Sequence, residues 1–227
     1  MLDSSVSLIF IGVVSVSVAL SGIKRAPGIG IVFAVVFVGI STWLKGGITH
    51  IGLTAPDNWV MVLILGFLLG ALLAFLSISV IEPAVERITG SPHDISIVER
   101  IRENVKALLQ WLLLVWVVVA FAEEIIFRGF LMSEIVQLVG SGIGGLGFSL
   151  LVSSVIFGLA HWYQGPSGTL STGITGIILG IIFIWSGFNL WLPILTHGFI
   201  DTVSLVIIFF NVDKFLKQLF WKHETVK

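Results

Sequence analysis

The feature that most constrains this chain is an apolar run, residues 111–122, that leads directly into charged residues. Glu123 and Glu124 follow the run without a break, and Arg128 comes four residues after Glu124. Carboxylates at bilayer depth are costly unless they are paired or face a wet cavity, so charges in such a segment mark functional sites by default. The segment therefore predicts a polar site inside a membrane protein.

Two later apolar segments carry ionisable residues of their own. His161 ends one of these segments, and Phe157 lies one helical turn before it on the same face. His197 and Asp201 lie four residues apart in the other segment. Because three hydrophobic segments each supply polar groups, we expect those groups to form one shared site.

The composition agrees with a multi-span membrane protein. Of the 227 residues, 56% are hydrophobic and 11% are charged, whereas soluble domains carry about 25% charged residues. The mean hydropathy is +1.10. A net charge of −1 offers no basic surface for nucleic acid, and the absence of cysteine excludes disulfides and thiolate ligands.

Seven apolar segments approach the length of about 20 residues that a bilayer span requires. We expect one all-α membrane domain over residues 1–227, a polytopic bundle of about seven spans. An eighth is expected only if the Gly-rich stretch 140–147 holds a re-entrant piece. The fourth span is expected to continue as helix through the charged run to about Val139. The predicted spans are 6–22, 28–44, 59–81, 107–122, 148–160, 170–185 and 191–210.

Charge placement predicts the orientation of the spans. Most basic residues fall in the loops on one side of the membrane, here called the basic side. Among the loops on the opposite side, only one carries a basic residue, Lys45. The positive-inside rule therefore puts the basic side and the C-terminus in the cytoplasm. The first span lacks a preceding basic region, so a removable signal peptide is not expected. The basic side holds Lys24, Arg25, Arg87, Arg100, Arg102, Lys106, Lys214, Lys217, Lys222 and Lys227.

The polar segment 82–106 is expected on this cytoplasmic side. Its apolar positions Ile95, Val98, Ile101 and Val105 are spaced as in a helix, which predicts an amphipathic helix on the membrane face. A helix in a solvated loop is the alternative interpretation.

Helical spacing separates the roles of the two glutamates. Glu124 and Arg128 can form an i,i+4 ion pair with the glutamate in the favoured N-terminal position. Glu123 points about 100° away around the helix and lacks this partner, so it is the carboxylate available as a general base. The alternative is an ion-pair cluster at a helix end near the lipid headgroups.

The two histidine segments also have structural interpretations when each is taken alone. His161 precedes Trp162 and Tyr163, which fits an aromatic belt at the membrane interface. His197 and Asp201 can form a hydrogen-bonded pair that joins two helices. Taken together, one Glu, two His and one Asp can activate a water for hydrolysis, either directly or through a metal.

Three sequence motifs resemble those of the CPBP family. This family includes the Ras-converting CAAX prenyl endopeptidases and bacterial bacteriocin-processing or immunity (Abi) membrane proteins. The family motifs EExxxR, FxxxH and Hxxx(N/D) occur here in order and on separate hydrophobic segments, within about residues 115–204. They are Glu123-Glu124-Ile-Ile-Phe-Arg128, Phe157-Gly-Leu-Ala-His161 and His197-Gly-Phe-Ile-Asp201.

The resemblance implies an α-helical intramembrane endopeptidase with its catalytic core at about residues 105–211. By analogy, Glu123 activates the attacking water, His161 helps to hold that water, and His197 with Asp201 stabilises the oxyanion. The prenyl endopeptidases typically have Asn at the last motif position, which can donate a hydrogen bond. An ionised Asp201 cannot donate, so it is protonated, orients His197 or binds a metal.

The resemblance implies that Glu124 and Arg128 hold the first motif helix in shape, and that Phe157 is a further supporting residue. It also implies a peptide or lipidated protein substrate, contact with the lipid bilayer and the plasma membrane of a prokaryote as location. No cofactor or nucleic acid is expected.

Three alternatives remain open at this point. A metal-dependent hydrolase would use His161, His197 and Glu123 as ligands, with zinc as a suitable ion. A proton-coupled transporter would use the same buried groups as a relay. A non-catalytic immunity or binding protein would keep the fold as a scaffold.

Overall fold

The structure, a computed structural model, describes residues 4–45 and 47–220. Over these residues the chain folds into helices and their connections without strands, and seven helical stretches are long and apolar enough to cross a membrane. The predicted all-α, multi-pass membrane bundle is therefore confirmed. Lys222 and Lys227, which contributed to the predicted orientation, and the C-terminus, which that orientation puts in the cytoplasm, lie outside the described residues.

The described residues form nine helices, which are numbered in chain order. Two single 3₁₀ turns, Ile48–Ile51 and Trp162–Gln164, lie between them. The helices are α1 (Ser4–Ile23), α2 (Pro27–Leu44), α3 (Trp59–Thr89), α4 (Ser96–Glu99), α5 (Val105–Val139), α6 (Ile143–Ala160), α7 (Gly165–Trp185), α8 (Trp191–Phe209) and α9 (Val212–Phe220).

The long helix α5 carries the first motif. It runs for 35 residues without a break, as the sequence predicts, and contains π-helical turns at Val115–Val119 and Ile125–Met132. Glu123 and Glu124 lie between these two turns. Widened turns of this kind occur often at functional sites because they change which side chains share a face.

The Gly-rich stretch after α5 contains no re-entrant element among the described residues. The chain turns at Gly140–Gly142, where Gly140 has a φ of +97°, and α6 begins at Ile143. Over residues 4–45 and 47–220 the bundle therefore has seven candidate spans rather than eight.

Glycines allow the helix that carries His197 to pack closely against its neighbours. A Cβ on Gly70 of α3 would lie 2.7 Å from the carbonyl oxygen of Thr196, so α3 and α8 meet almost backbone to backbone. A Cβ on Gly198 would lie 2.6 Å from the ring of Trp116 on α5. These contacts fix the rotation of α8 between α3 and α5.

The prediction of an amphipathic helix over residues 95–105 is wrong about its length. Only one turn, α4, is helical there, and Glu103 adopts a φ of +56° before the side chain of Asn104 caps α5. The apolar spacing instead reflects packing into the bundle, because Ile101 is fully buried against Ala107 and neighbouring side chains. The amphipathic helix at this end is α9.

The two ends of the bundle differ in charge. One end, here called the basic end, holds the turn between α1 and α2, the segment between α3 and α5, and α9. At the opposite end, Lys45 forms a buried ion pair with Glu134 at the end of α5. The basic residues of the basic end are Lys24, Arg25, Arg87, Arg100, Arg102, Lys106, Lys214 and Lys217.

Candidate active site

Three separate helices bring the motif residues to one cavity. The cavity has a volume of about 470 Å³, and its wall includes Glu123 of α5, His161 at the end of α6, and His197 and Asp201 of α8. The structure thus places together the four residues that the sequence selects as candidates for catalysis. Phe157 contributes to the same wall.

Glu123 lies between the two imidazoles. Its Oε1 is 3.9 Å from Nε2 of His161, and its Oε2 is 4.0 Å from Nε2 of His197. Both separations are too long for a direct hydrogen bond and short enough for one bridging water. The residue is 5% exposed, and its Oε2 accepts no hydrogen bond from any described residue. A buried carboxylate with a free oxygen is thereby directed at two histidines.

Glu124 holds two cationic or donor groups with a single oxygen. Nη1 of Arg128 donates to Oε1 at 2.7 Å, which is the i,i+4 contact that the spacing predicts. Nδ1 of His197 lies 2.8 Å from the same oxygen. Sequence spacing could not reveal this second contact, because His197 comes from a different helix.

Arg128 ties α5 to two other helices. Its Nη2 donates to the carbonyl oxygen of Gly176 on α7 at 3.0 Å, and its guanidinium stacks 4.6 Å from the ring centre of Phe157 on α6. The residue is 1% exposed. A buried guanidinium with an ionic partner, a carbonyl acceptor and an aromatic face is well compensated for its loss of water.

Phe157 also orients His161 through its backbone. The carbonyl oxygen of Phe157 lies 2.8 Å from Nδ1 of His161. Because a carbonyl can only accept, Nδ1 carries the hydrogen, and the lone pair of a neutral ring resides on Nε2. That nitrogen is the one that faces Glu123. The FxxxH spacing therefore sets both the tautomer and the direction of the ring.

Asp201 faces the free side of His197. Its Oδ2 is 3.7 Å from Nε2, whereas Glu124 holds Nδ1 on the other side of the ring. Its side chain is 27% exposed, the largest exposure among the four candidates. Orientation of the ring through Nδ1 thus belongs to Glu124, and Asp201 is placed to act on the nitrogen directed at the cavity.

The cavity continues from the motif residues to the basic end. Glu82 and His93 line it there, together with Gln164 and Lys217. Sequence reasoning assigned His93 no role, because a lone histidine in a polar loop carries no spacing signal. Apolar residues cover another part of the wall; they include Ile31, Leu114, Val115, Val118 and Val119.

Metal ligation has no ready site in this arrangement. Across residues 4–45 and 47–220, no group of three or more His, Asp or Glu side chains is placed to hold a metal ion. The zinc-dependent alternative, with His161, His197 and Glu123 as ligands, therefore stays a hypothesis for experiment.

Comparisons with known proteins agree with the motif analysis. Residues 105–203 match the model of the Rce1-like family, described as type II CAAX prenyl endopeptidase Rce1-like. The chain is also similar to the uncharacterized protein YpbD of Bacillus subtilis, with 33% identity over 87 residues. That alignment covers 37% of this chain and only 39% of YpbD. No solved structure gives a significant match.

The family match covers all three motifs and the helices that carry them, from the start of α5 to the middle of α8. The predicted resemblance is therefore confirmed: residues 105–203 of this chain, which contain its buried Glu, His and Asp cluster, are similar to the Rce1-like type II CAAX prenyl endopeptidase family.

Proposed function

We propose that the chain is an intramembrane endopeptidase of the CAAX type, a single membrane domain with its catalytic core at about residues 105–211. It hydrolyses a peptide bond of a membrane-associated substrate. The observation that carries this proposal is Glu123, a buried carboxylate within 4.0 Å of two imidazoles in a cavity of about 470 Å³. The family match supports the same class of reaction.

Glu123 and His161 activate the water. One water between them donates one hydrogen to the Glu123 carboxylate and the other to Nε2 of His161, which leaves an oxygen lone pair for the scissile carbonyl. As the oxygen attacks, Glu123 takes the proton as general base and later delivers it to the leaving amine. The fixed tautomer of His161 suits this role, since its Nδ1 hydrogen is held by the Phe157 carbonyl.

His197 stabilises the oxyanion that forms on the carbonyl. As an imidazolium it donates from both nitrogens, with Nδ1 directed at Glu124 and Nε2 directed at the cavity. A donor already in place where charge develops is usually the largest single contribution to such catalysis. Asp201, at 3.7 Å from Nε2, supports the positive charge on the ring without donating to the substrate itself.

The cavity suits a peptide or lipidated protein. The polar groups lie along one part of its wall, and valines and leucines of α5 lie along another. Such a surface binds an extended peptide together with an apolar side chain or a lipid chain. With the predicted orientation, the substrate enters from the cytoplasmic side of a prokaryotic plasma membrane.

The test is a comparison of membrane proteomes from cells that express the wild-type chain or Glu123→Gln. We expect new N-termini in membrane proteins only with the wild-type chain, because the amide cannot accept the proton of water. Glu99→Gln, a change in an exposed carboxylate of the basic end, serves as the matched control. Identical sets of N-termini for wild type and Glu123→Gln would refute the proposal.

The same strains distinguish the scaffold alternative. If the chain is a non-catalytic immunity or binding protein, the Glu123→Gln variant still restores a cellular phenotype, and the two proteomes do not differ. Proton flux in liposomes that is lost in Glu123→Gln would instead favour the transporter.

A further inference from the structure

The loop after α3 docks on the turn that carries His161. The backbone N–H of Asp94 donates to the carbonyl oxygen of Gln164 at 3.0 Å, and the N–H of Gln164 donates to the carbonyl oxygen of His161 at 2.9 Å. The loop belongs to the first hundred residues, which lie outside the family match. It nevertheless contacts the chain three residues from a candidate catalytic histidine.

His93 is the side chain that joins this loop to both sides of the cavity. Its Nδ1 lies 3.4 Å from Oε2 of Glu82 on α3, and its ring lies next to the side chain of Gln164 beside Gly168. The imidazole is 13% exposed. The ring therefore forms a bridge from a membrane-spanning helix to the His161 turn.

The backbone of His93 is anchored as well. Its N–H donates to Oε1 of Glu86 at 3.0 Å, and Nζ of Lys217 on α9 donates to the same oxygen at 3.0 Å. One oxygen of Glu86 thus binds both the loop and α9. The position of the ring is determined by three elements rather than by the loop alone.

Gly168 provides the space for this bridge. A Cβ at this position of α7 would lie 2.3 Å from Cβ of Gln164 and 3.0 Å from Cδ2 of His93. Any side chain there would push Gln164 and the imidazole away. The close fit offers a second way to disturb the bridge without changing His93.

We propose that His93 is a positioning residue of the candidate active site, which joins Glu82 to Gln164 and thereby fixes the turn that carries His161. The positioning role rests on the proposed function, because His161 is catalytic only in that reaction. A displacement of about 1 Å at a catalytic group can reduce a rate by about 10²-fold, so a bridge of this kind has a large effect on activity.

The charge on His93 strengthens the bridge. Only the imidazolium carries the positive charge that attracts the Glu82 carboxylate, 3.4 Å from Nδ1. Desolvation lowers the pKa of His93, but the hydrogen bond and charge of Glu82, with the hydrogen bond to Gln164, raise it above its usual value overall. The bridge is therefore complete below this raised pKa and weakens as the pH rises through it.

Other charged groups also face His93, and each belongs to a different part of the fold. They are Glu86 of α3, Lys217 of α9, which opposes the imidazolium charge, His161 at the end of α6, and Asp94 with its partner Arg25 at the end of α1.

The first test needs no substrate. Hydrogen exchange is measured on the full-length protein in lipid nanodiscs for wild type, His93→Ala and the control His50→Ala, whose histidine lies at the opposite end near Glu134. We expect amides of residues 161–165 to exchange about tenfold faster in His93→Ala, because local opening is easier once the bridge is lost. His50→Ala is expected to match the wild type in this segment.

Two further variants keep the test valid if His93→Ala does not fold. Gly168→Ala is expected to speed exchange in the same segment by displacing Gln164. His93→Lys keeps its positive charge at alkaline pH, so exchange at residues 161–165 is expected to stay slow from pH 6 to pH 9. In the wild type, exchange at residues 161–165 is expected to become faster over this range, relative to exchange at residues 133–139 of the same protein. Unchanged exchange at residues 161–165 in folded His93→Ala or Gly168→Ala would overturn the proposal.

The second test uses a peptide that contains a cleavage site found in the proteome comparison. We expect His93→Ala to lower kcat about 10²-fold with a small change in KM, since it displaces a catalytic group rather than a binding surface. We also expect the kcat of the wild type to fall at alkaline pH as His93 loses its proton, and this fall to be absent in His93→Ala. An unchanged pH profile and kcat would contradict the positioning role. Full cleavage by Glu123→Gln would refute the proposed function instead, and the exchange experiment would still decide whether His93 holds the turn.

Discussion

The helix α5 holds two buried carboxylate sites that differ in how completely they are paired. At the opposite end, Glu134 contacts Lys45 through Oε2 and His50 through Oε1, and Gln137 lies 3.3 Å from that histidine. Both oxygens of Glu134 are thus engaged. We call this group the Glu134 cluster.

The site around Glu123 is arranged in the opposite way. Glu123 has no cation or donor within hydrogen-bond distance among the described residues, and it faces a cavity shared with His161 and His197. Its neighbour Glu124 takes the ionic partner instead. The same helix therefore separates a paired carboxylate from an unpaired one within two adjacent residues.

The comparison separates two kinds of buried carboxylate in one helix. Both Glu123 and Glu134 are at most 5% exposed, but only the first retains an unpartnered oxygen in an open volume. A fully paired buried charge contributes to one defined structure, whereas an unpaired one can exchange a proton with substrate or water.

The largest effect is expected for Glu123→Gln. Loss of the general base should reduce kcat by at least about 10³-fold, while the folded state is retained because no ion pair is broken. Cleavage of an identified peptide by purified protein measures the rate, and thermal unfolding in detergent provides the control for folding. A wild-type kcat in this variant would contradict the functional difference between the site around Glu123 and the Glu134 cluster.

Glu124→Gln is expected to have the next largest effect. The amide can accept from His197 but no longer neutralises Arg128 or supports an imidazolium, so kcat should fall about 10²-fold with little change in KM. Because Arg128 is 1% exposed, the Tm should fall as well. A variant with lowered Tm but unchanged kcat would show that Glu124 acts only on the fold.

Asp201→Asn should have a smaller effect on the rate. The amide can donate to the oxyanion directly, which offsets part of the lost support for the His197 charge, so kcat should stay within about tenfold of the wild type. Measurement of kcat for Asp201→Asn beside Asp201→Ala checks this expectation. Equal, severe losses in both variants would mean that the negative charge itself is required.

Glu134→Gln should change stability without changing the reaction. Removal of one partner leaves Lys45 buried and uncompensated, which typically costs about 3–5 kcal/mol. Unfolding in detergent should show this loss, whereas kcat per folded molecule should match the wild type. A selective loss of kcat would mean that the Glu134 cluster takes part in catalysis.

Removal of divalent metal should have the smallest effect. In the proposed reaction the carboxylate, not a metal, activates the water, so protein treated with a strong chelator should keep its kcat. Metal analysis of the same sample and recovery after zinc addition complete the measurement. Loss of activity on chelation with recovery by zinc would revive the version in which His161, His197 and Glu123 bind the ion.

Hydropathy and short-range spacing predicted a large part of this fold. The seven spans, the continuous helix through Glu123 to Val139 and the contact of Glu124 with Arg128 all follow from apolar length and from the i,i+4 rule. These features depend on the bilayer and on residues close in the chain. The sequence can therefore predict them without knowledge of which helices are neighbours.

Contacts between distant segments were harder to predict. The apolar spacing of residues 95–105 was misinterpreted as an amphipathic helix, because packing of Ile101 into the bundle produces a similar pattern. The sequence does not reveal the bond from His197 to Glu124, because these residues are 73 positions apart on different helices. It does not reveal the bridge through His93 either, because no spacing rule connects that loop to the turn of His161.

The amino-acid order alone thus established a membrane-embedded helical bundle and the set of polar residues on its motif-bearing helices. Bilayer length and helical periodicity dictate both before any helix meets another. Helical spacing on α5 already pairs Glu124 with Arg128, but the contact of Glu124 with His197 and the cavity that Glu123 shares with His197 depended on how α8 rotates against α3 and α5. Close contacts at Gly70 and Gly198 set that rotation, and such contacts exist only once the helices have packed.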